Sequence, residues 1–270
     1  MPSLQKILNA VGLAGWFSLR PENLPYHYGL AVPQDSNQAC PQPGELSCQT
    51  EFDNQDTCCF NYPGGHFLQT QFWDFDPVTG PKDSWTIHGL WPDHCDGGYD
   101  EFCDSSREYS NISLILVDAG RSDLLEDMQK YWKDYKGDDA SFWSHEWNKH
   151  GTCVSTLETH CYEDYVPQEE VVDYFDVAVE VFKSRPSYDI LADAGITPSE
   201  HTTYDRDEIE SALEQAHGGG VTVRCRQGAI NEIWYHFNVA GPLQSGAFEP
   251  AAAVGQGTNC PKSGIKYIPK

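Results

Sequence analysis

Ten cysteines constrain this chain more than any other feature of it. The count is even, Cys58 and Cys59 are adjacent, and no pair has the CxxC spacing of a zinc site. The pattern reads as a disulfide framework and points to an oxidising compartment, so the protein is expected to be secreted, or vacuolar or lysosomal. The sequon Asn111-Ile112-Ser113 agrees and makes Asn111 a candidate glycosylation site. Lys6 precedes an apolar stretch from Ile7 to Leu19, which is the length of a signal h-region and too short to cross a bilayer. We therefore expect residues 1–38 to be a signal peptide and possible pro-segment, and residues 39–270 to be one catalytic domain that makes no membrane contact.

Patterning within that domain mixes the two periodicities. His66 to Asp76 and Ser84 to Trp91, ending at Pro92, read as strands, as do Val221 to Cys225 and Ile230 to Val239. Ser122 to Trp132 reads as a helix with Ser122 as N-cap, and Phe142 to His150 as a helix stopped by Gly151. Pro167 to Lys183 and Asp205 to His217 read as two more helices. Strands and helices do not alternate, so the expected fold is a single α+β domain, an antiparallel sheet packed with several helices and stapled by disulfides. The net charge of −24 argues against a polyanionic partner and stands as an objection to the chemistry that follows.

Two segments carry titratable groups among large aromatics: Ile87-His88-Gly89-Leu90-Trp91-Pro92-Asp93, and Phe142-Trp143-Ser144-His145-Glu146-Trp147-Asn148-Lys149-His150-Gly151-Thr152-Cys153. On a helix, His145 and Lys149 are neighbours at i,i+4, and so are Glu146 and His150. The four side chains then share a sector of about 140°. A solvated polar face would also explain them. Zinc would not, because His145 and His150 are one residue too far apart for the HExxH arrangement and Lys149 would repel a divalent cation. Two histidines, a lysine and a carboxylate suit cleavage of RNA by its own 2′-hydroxyl. That reaction needs a base, an acid for the leaving 5′-oxygen and cations for the developing charge, and no metal or other cofactor.

The strings IHGLWPD and FWSHEWNKHGTC, in this order and with ten cysteines around them, resemble the two catalytic signatures of the ribonuclease T2 family in its fungal branch. The resemblance covers about Cys40 to Cys260. It implies a metal-independent endoribonuclease with little base specificity, which cuts single-stranded RNA through a 2′,3′-cyclic phosphate to 3′-phosphate ends. His88 would be the general acid and His150 the general base. His145 would bind phosphate, while Glu146 and Lys149 would stabilise the transition state. Trp91, Asp93 and Tyr99 would form the main base pocket, and Gln71 and Phe142 a second subsite. The implied disulfides join Cys40 to Cys59, Cys48 to Cys95, Cys58 to Cys161, Cys103 to Cys153, and Cys225 to Cys260. RNA is the expected partner, DNA is not, and the protein is expected to be a monomer. The competing readings are a non-catalytic secreted relative that binds carbohydrate or protein, and a secreted metallohydrolase. The residues alone do not decide which histidine is acid and which is base.

Overall fold

The computed structural model describes residues 40–270 except 51 and 54, so the expected signal and pro-segment lies outside the described residues. Among the described residues, seven strands form one sheet. Its centre is β5 (Ala229–Ala240), a long strand rich in apolar and aromatic residues and buried along most of its length. On one side β5 pairs antiparallel with β1 (His66–Phe72), and β1 pairs antiparallel with β2 (Thr86–Asp93) at the edge. On the other side β5 pairs with β4 (Val221–Arg226) and β6 (Ala247–Pro250). β3 (Thr203–Tyr204) joins through β7 (Ile265–Lys266). One contact departs from the expected antiparallel arrangement: Ala229 and Lys266 pair in parallel, which makes the sheet mixed. Strand β2 also runs on through Pro92, paired with Phe67, instead of ending there. Proline cannot donate to a ladder, but at a sheet edge the missing donor faces no partner strand.

Helices cover the sheet. In chain order they are α1 (Ile112–Asp118), α2 (Ser122–Tyr131), α3 (Asp139–Lys149), α4 (Glu169–Lys183), α5 (Ser187–Asp193) and α6 (Arg206–His217). Helix α4 buries Val171, Tyr174, Phe175 and Val179, and the Tyr174 hydroxyl donates to the Leu90 carbonyl at 2.9 Å, which fastens α4 to β2. Asp205 and Glu208 form a capping box at the start of α6, and Gly218, at φ +82°, ends it. Three helix starts differ from expectation. Helix α3 begins three residues before Phe142, behind the Asp138 cap. Arg121, not Ser122, occupies the N-cap of α2, and α4 begins two residues late because Gln168 is left-handed. Helices α1 and α5 were not expected; each is only seven residues, too short for a 3.6-residue period to stand out.

Five disulfides join the pairs that the family resemblance implied. Two of them bear on the two motifs. Cys95, just after β2, is tied to Cys48, and Cys153, just after α3, is tied to Cys103. The segment Gly195-Ile196-Thr197-Pro198 is structural: Gly195 adopts φ +78°, Ile196 is buried, and the Thr197 amide donates to the Tyr204 hydroxyl.

Candidate active site

The site begins with a defect in the sheet. Ile87 pairs with Gln71 and Gly89 with Thr70, so His88 is an extra residue on β2, a bulge. Bulges re-aim a side chain that regular pleating would send elsewhere. The His88 ring stacks on Phe72 at 4.0 Å and keeps about one-fifth of its surface exposed. Gly89 follows because nothing larger fits: a Cβ there would overlap Glu146 Oε2 and Trp91 Nε1.

Helix α3 delivers the second motif. The Asp138 carboxylate caps its start by accepting from the Ser141 amide, and Trp143 and Trp147 anchor its inner face, both buried. Glu146 lies on that inner side and is 1% exposed. His150 sits at the C-cap, one residue past the last helical turn, and is 4% exposed. Gly151 is required for the same reason as Gly89, since a Cβ would overlap the Trp147 ring.

His88, His145, Glu146, Lys149, His150, Trp91, Asp93 and Tyr99 line one cleft of about 310 Å³. Trp91 organises it. The indole stacks on His150 at 5.0 Å, meets His88 edge-on at 4.7 Å and donates from Nε1 to Glu146 Oε2 at 2.9 Å. The ring expected to stack on a base therefore already has one face against His150. Lys149 lies 5.8 Å over the Tyr99 ring and 3.6 Å from Glu101. Tyr99 is exposed. Phe142 borders the site, 5.9 Å from His88.

Gln71 is the correction. It is fully buried and faces away from the cleft: its amide donates to the Gln69 side chain and to the Arg185 carbonyl, and its oxygen accepts from Ser187. It has no exposed atom with which to touch a base. His236 and Trp73 are buried core residues. Trp234 is nearly buried too, yet it lines the cleft against Trp91.

Other contributions were absent from the sequence reading. Glu232 on β5 binds His88 Nδ1 at 2.6 Å. Val254 and Gln256 reach the cleft because Gly97 packs on Gly255 with no room for a Cβ between them. A larger cavity of about 650 Å³ lies apart from these residues. It is lined by Asp118, Asp123, Asp173 and Asp176 and lacks histidine, and its one arginine, Arg121, is engaged by Asp123 and Asp176. It offers no acid–base pair. Among the described residues, the metal-ligand cluster formed by Cys58, His160 and Cys161 has both its sulfurs in a disulfide.

The surroundings push the two central imidazoles apart. Burial, together with the charges of Lys149, His88 and His145, holds His150 well below the usual histidine range. Burial also works against charge on His88, but the hydrogen bond to Glu232 and the charges of Glu232 and Glu146 outweigh it and raise the value. Burial, with Lys149 and His88, lowers His145. Burial raises Glu146 against the pull of His88 and the Trp91 hydrogen bond, and it raises Asp93 to about 7. Between the lowered value of His150 and the raised value of His88, the cleft holds a neutral imidazole and a protonated one side by side. That combination can take a proton at one point and give one at another.

A model of the ribonuclease T2 family matches residues 64–244 of this chain. The chain is 61% identical over its full length to a ribonuclease T2-like protein of Emericella nidulans and spans 63% of that relative. It is 54% identical to ribonuclease T2 of Aspergillus oryzae over 86% of this chain and 84% of the relative. Among solved structures it is similar to Actibind, a T2 ribonuclease, with a TM-score of 0.83 and 55% identity over 86% of this chain and 98% of that one.

Proposed function

This chain belongs to the ribonuclease T2 family, and from that premise we propose that it is a secreted, monomeric endoribonuclease that cuts single-stranded RNA, and not DNA, with little base preference and without a metal. In this reading His150 takes the proton from the ribose 2′-hydroxyl, which attacks the adjacent phosphorus. His88 protonates the departing 5′-oxygen, leaving a 2′,3′-cyclic phosphate. In a second passage water enters where the 5′-alcohol left: His88 takes its proton, the water oxygen bonds to phosphorus, and His150 protonates the departing 2′-oxygen, which opens the ring to a 3′-phosphate. Lys149 supplies positive charge to the non-bridging oxygens, and His145 binds the phosphate. Asp93, protonated below about pH 7, offers both a donor and an acceptor to the base.

The observation that carries this reading is the contrast in surroundings: His88 is bonded to the Glu232 carboxylate, whereas His150 is buried near Lys149 with no carboxylate bonded to it among the described residues. A base must be neutral and an acid charged at the same pH, and here the environments favour that division. It also answers the charge objection. Mild acid begins to neutralise the many carboxylates, weakening repulsion of RNA, while a depressed His150 still serves as base. Disulfides and an exposed Asn111 support the secretory setting and glycosylation at that asparagine. The test is the pH profile of kcat/KM for a dinucleoside phosphate. The expected profile is a bell with its maximum at about pH 4–6, set on the acid side by the base and on the alkaline side by the acid. A maximum above pH 7.5 would refute the assignment.

A further inference from the structure

Glu232 is the carboxylate closest to His88 and lies in neither motif. It arrives from β5, two strands away from β2. Phe72 on β1 pairs with Thr86 on one side and with Glu232 on the other, and the bulge carries His88 over the Phe72 ring to meet it. Its side chain is 14% exposed, so water competes little for the bond. We propose that Glu232 is a positioning residue for the leaving-group acid: it accepts the Nδ1 proton of His88, holds the imidazole in one orientation and leaves Nε2 to face the scissile phosphate.

The geometry supports this in three ways. A carboxylate only accepts, so at 2.6 Å the Nδ1 of His88 must be the donor, which fixes the tautomer whenever the ring is neutral. Phe72 below the ring and the edge of Trp91 beside it define the plane in which the ring lies, while Glu232 defines its rotation within that plane. The other nearby carboxylate, Glu146, stands 3.8 Å from Nε2 and is already held by Trp91, so it cannot take over the Nδ1 contact. The remaining charged or titratable groups that act on His88 are Lys149, His145 and His150 from the α3 side, and Asp74 beyond β1. None of these bonds to Nδ1.

The inference rests on the acid role of His88, so the experiment separates the two. Glu232→Gln, Glu232→Ala and His88→Ala are assayed on a dinucleoside phosphate and on a nucleoside 3′-(p-nitrophenyl phosphate), whose leaving group departs without a proton. On the dinucleotide the Glu232 variants should lose about 10–100-fold in kcat, the scale of losing an outer-shell orienting partner. Their KM should be nearly unchanged and the alkaline limb should move to lower pH. On the aryl ester they should approach wild type. If His88→Ala is equally slow on both substrates, the acid role itself fails. If His88→Ala recovers on the aryl ester while the Glu232 variants lose both substrates equally, or keep the wild-type rate and alkaline limb, the positioning role is overturned. Nitrogen NMR of the wild-type protein is independent of any variant: Nδ1 of His88 should stay protonated when the ring is neutral, and an Nε2–H tautomer would contradict the proposal.

Discussion

His88 and His150 are the same residue type placed in opposite surroundings, and each surrounding matches one half of the proposed reaction. Removing either imidazole should cost about 10²–10⁴-fold in kcat/KM, the usual range for one positioned acid or base, with the near-UV circular dichroism of the fold retained. Retention of more than a tenth of the wild-type rate would remove that residue from the mechanism. Gly89 gives a sharper test because it carries no chemistry of its own. The place of its missing Cβ is taken by Glu146 Oε2 and Trp91 Nε1. Gly89→Ala should therefore part that hydrogen bond and depress kcat by at least about tenfold, since small displacements of catalytic groups are costly. A fully active Gly89→Ala enzyme would show that the Trp91–Glu146 contact is dispensable. Glu101 is the counterpart on the rim. It pairs with Lys149 at 3.6 Å and competes with phosphate, so Glu101→Gln should lower KM modestly, by about two- to fivefold, with kcat unchanged. A higher KM would contradict that competition.

At the scale of elements, the site is a bulged edge strand facing the C-terminal end of a helix, with loops held against both by sulfur. The Cys103–Cys153 disulfide follows α3 directly, and the Phe102 amide donates to the Lys149 carbonyl beside it. Replacing both cysteines by alanine should cost about 2–4 kcal/mol of stability by chemical denaturation and raise KM more than it lowers kcat. An unchanged midpoint would mean that the bond does not restrain this loop. The cleft residues of the two motifs were legible in sequence because each proposed catalytic group lies on one of two short segments, one of which brings four of them together by helical spacing. Glu232 was not legible. Within the strand INEIWYHFNV nothing marks that glutamate, and its relation to His88 depends on the register of three strands and a bulge. Gln71 misled in the opposite sense. A polar residue in an aromatic strand beside the motif looks reachable, but its amide satisfies the Arg185 carbonyl and the Ser187 hydroxyl inside the core. The minor helices were missed for want of length, and the parallel contact of β7 because a two-residue strand has no pattern.

For the whole molecule, pH acts on stability through buried groups that oppose one another. Burial lowers His217 to about 4 and His236 to about 3, so the unfolded chain binds protons that the folded one refuses. Their contribution is complete above about pH 6.5 and is lost as the pH falls toward those values. Burial raises Asp173 to about 7, which has the reverse effect: its unfavourable ionisation develops as the pH rises from about 3.8 to 7 and is relieved in acid. Asp173→Asn, which keeps an acceptor for the Tyr162 hydroxyl, should therefore raise the melting temperature at pH 8 and leave it nearly unchanged at pH 4. An equal shift at both values would contradict the account. The net charge of −24 makes a parallel claim on kinetics: added salt should assist cleavage at pH 7 more than at pH 5, and equal inhibition at both would remove repulsion as a cause of the acid preference. The central claim, metal-free transphosphorylation by paired histidines, is tested most directly by following a defined oligoribonucleotide in EDTA by mass spectrometry, beside its deoxy counterpart. The account predicts undiminished cleavage, a 2′,3′-cyclic phosphate that precedes the 3′-phosphate, and intact DNA. Products bearing 5′-phosphates, or a reaction stopped by the chelator, would contradict it.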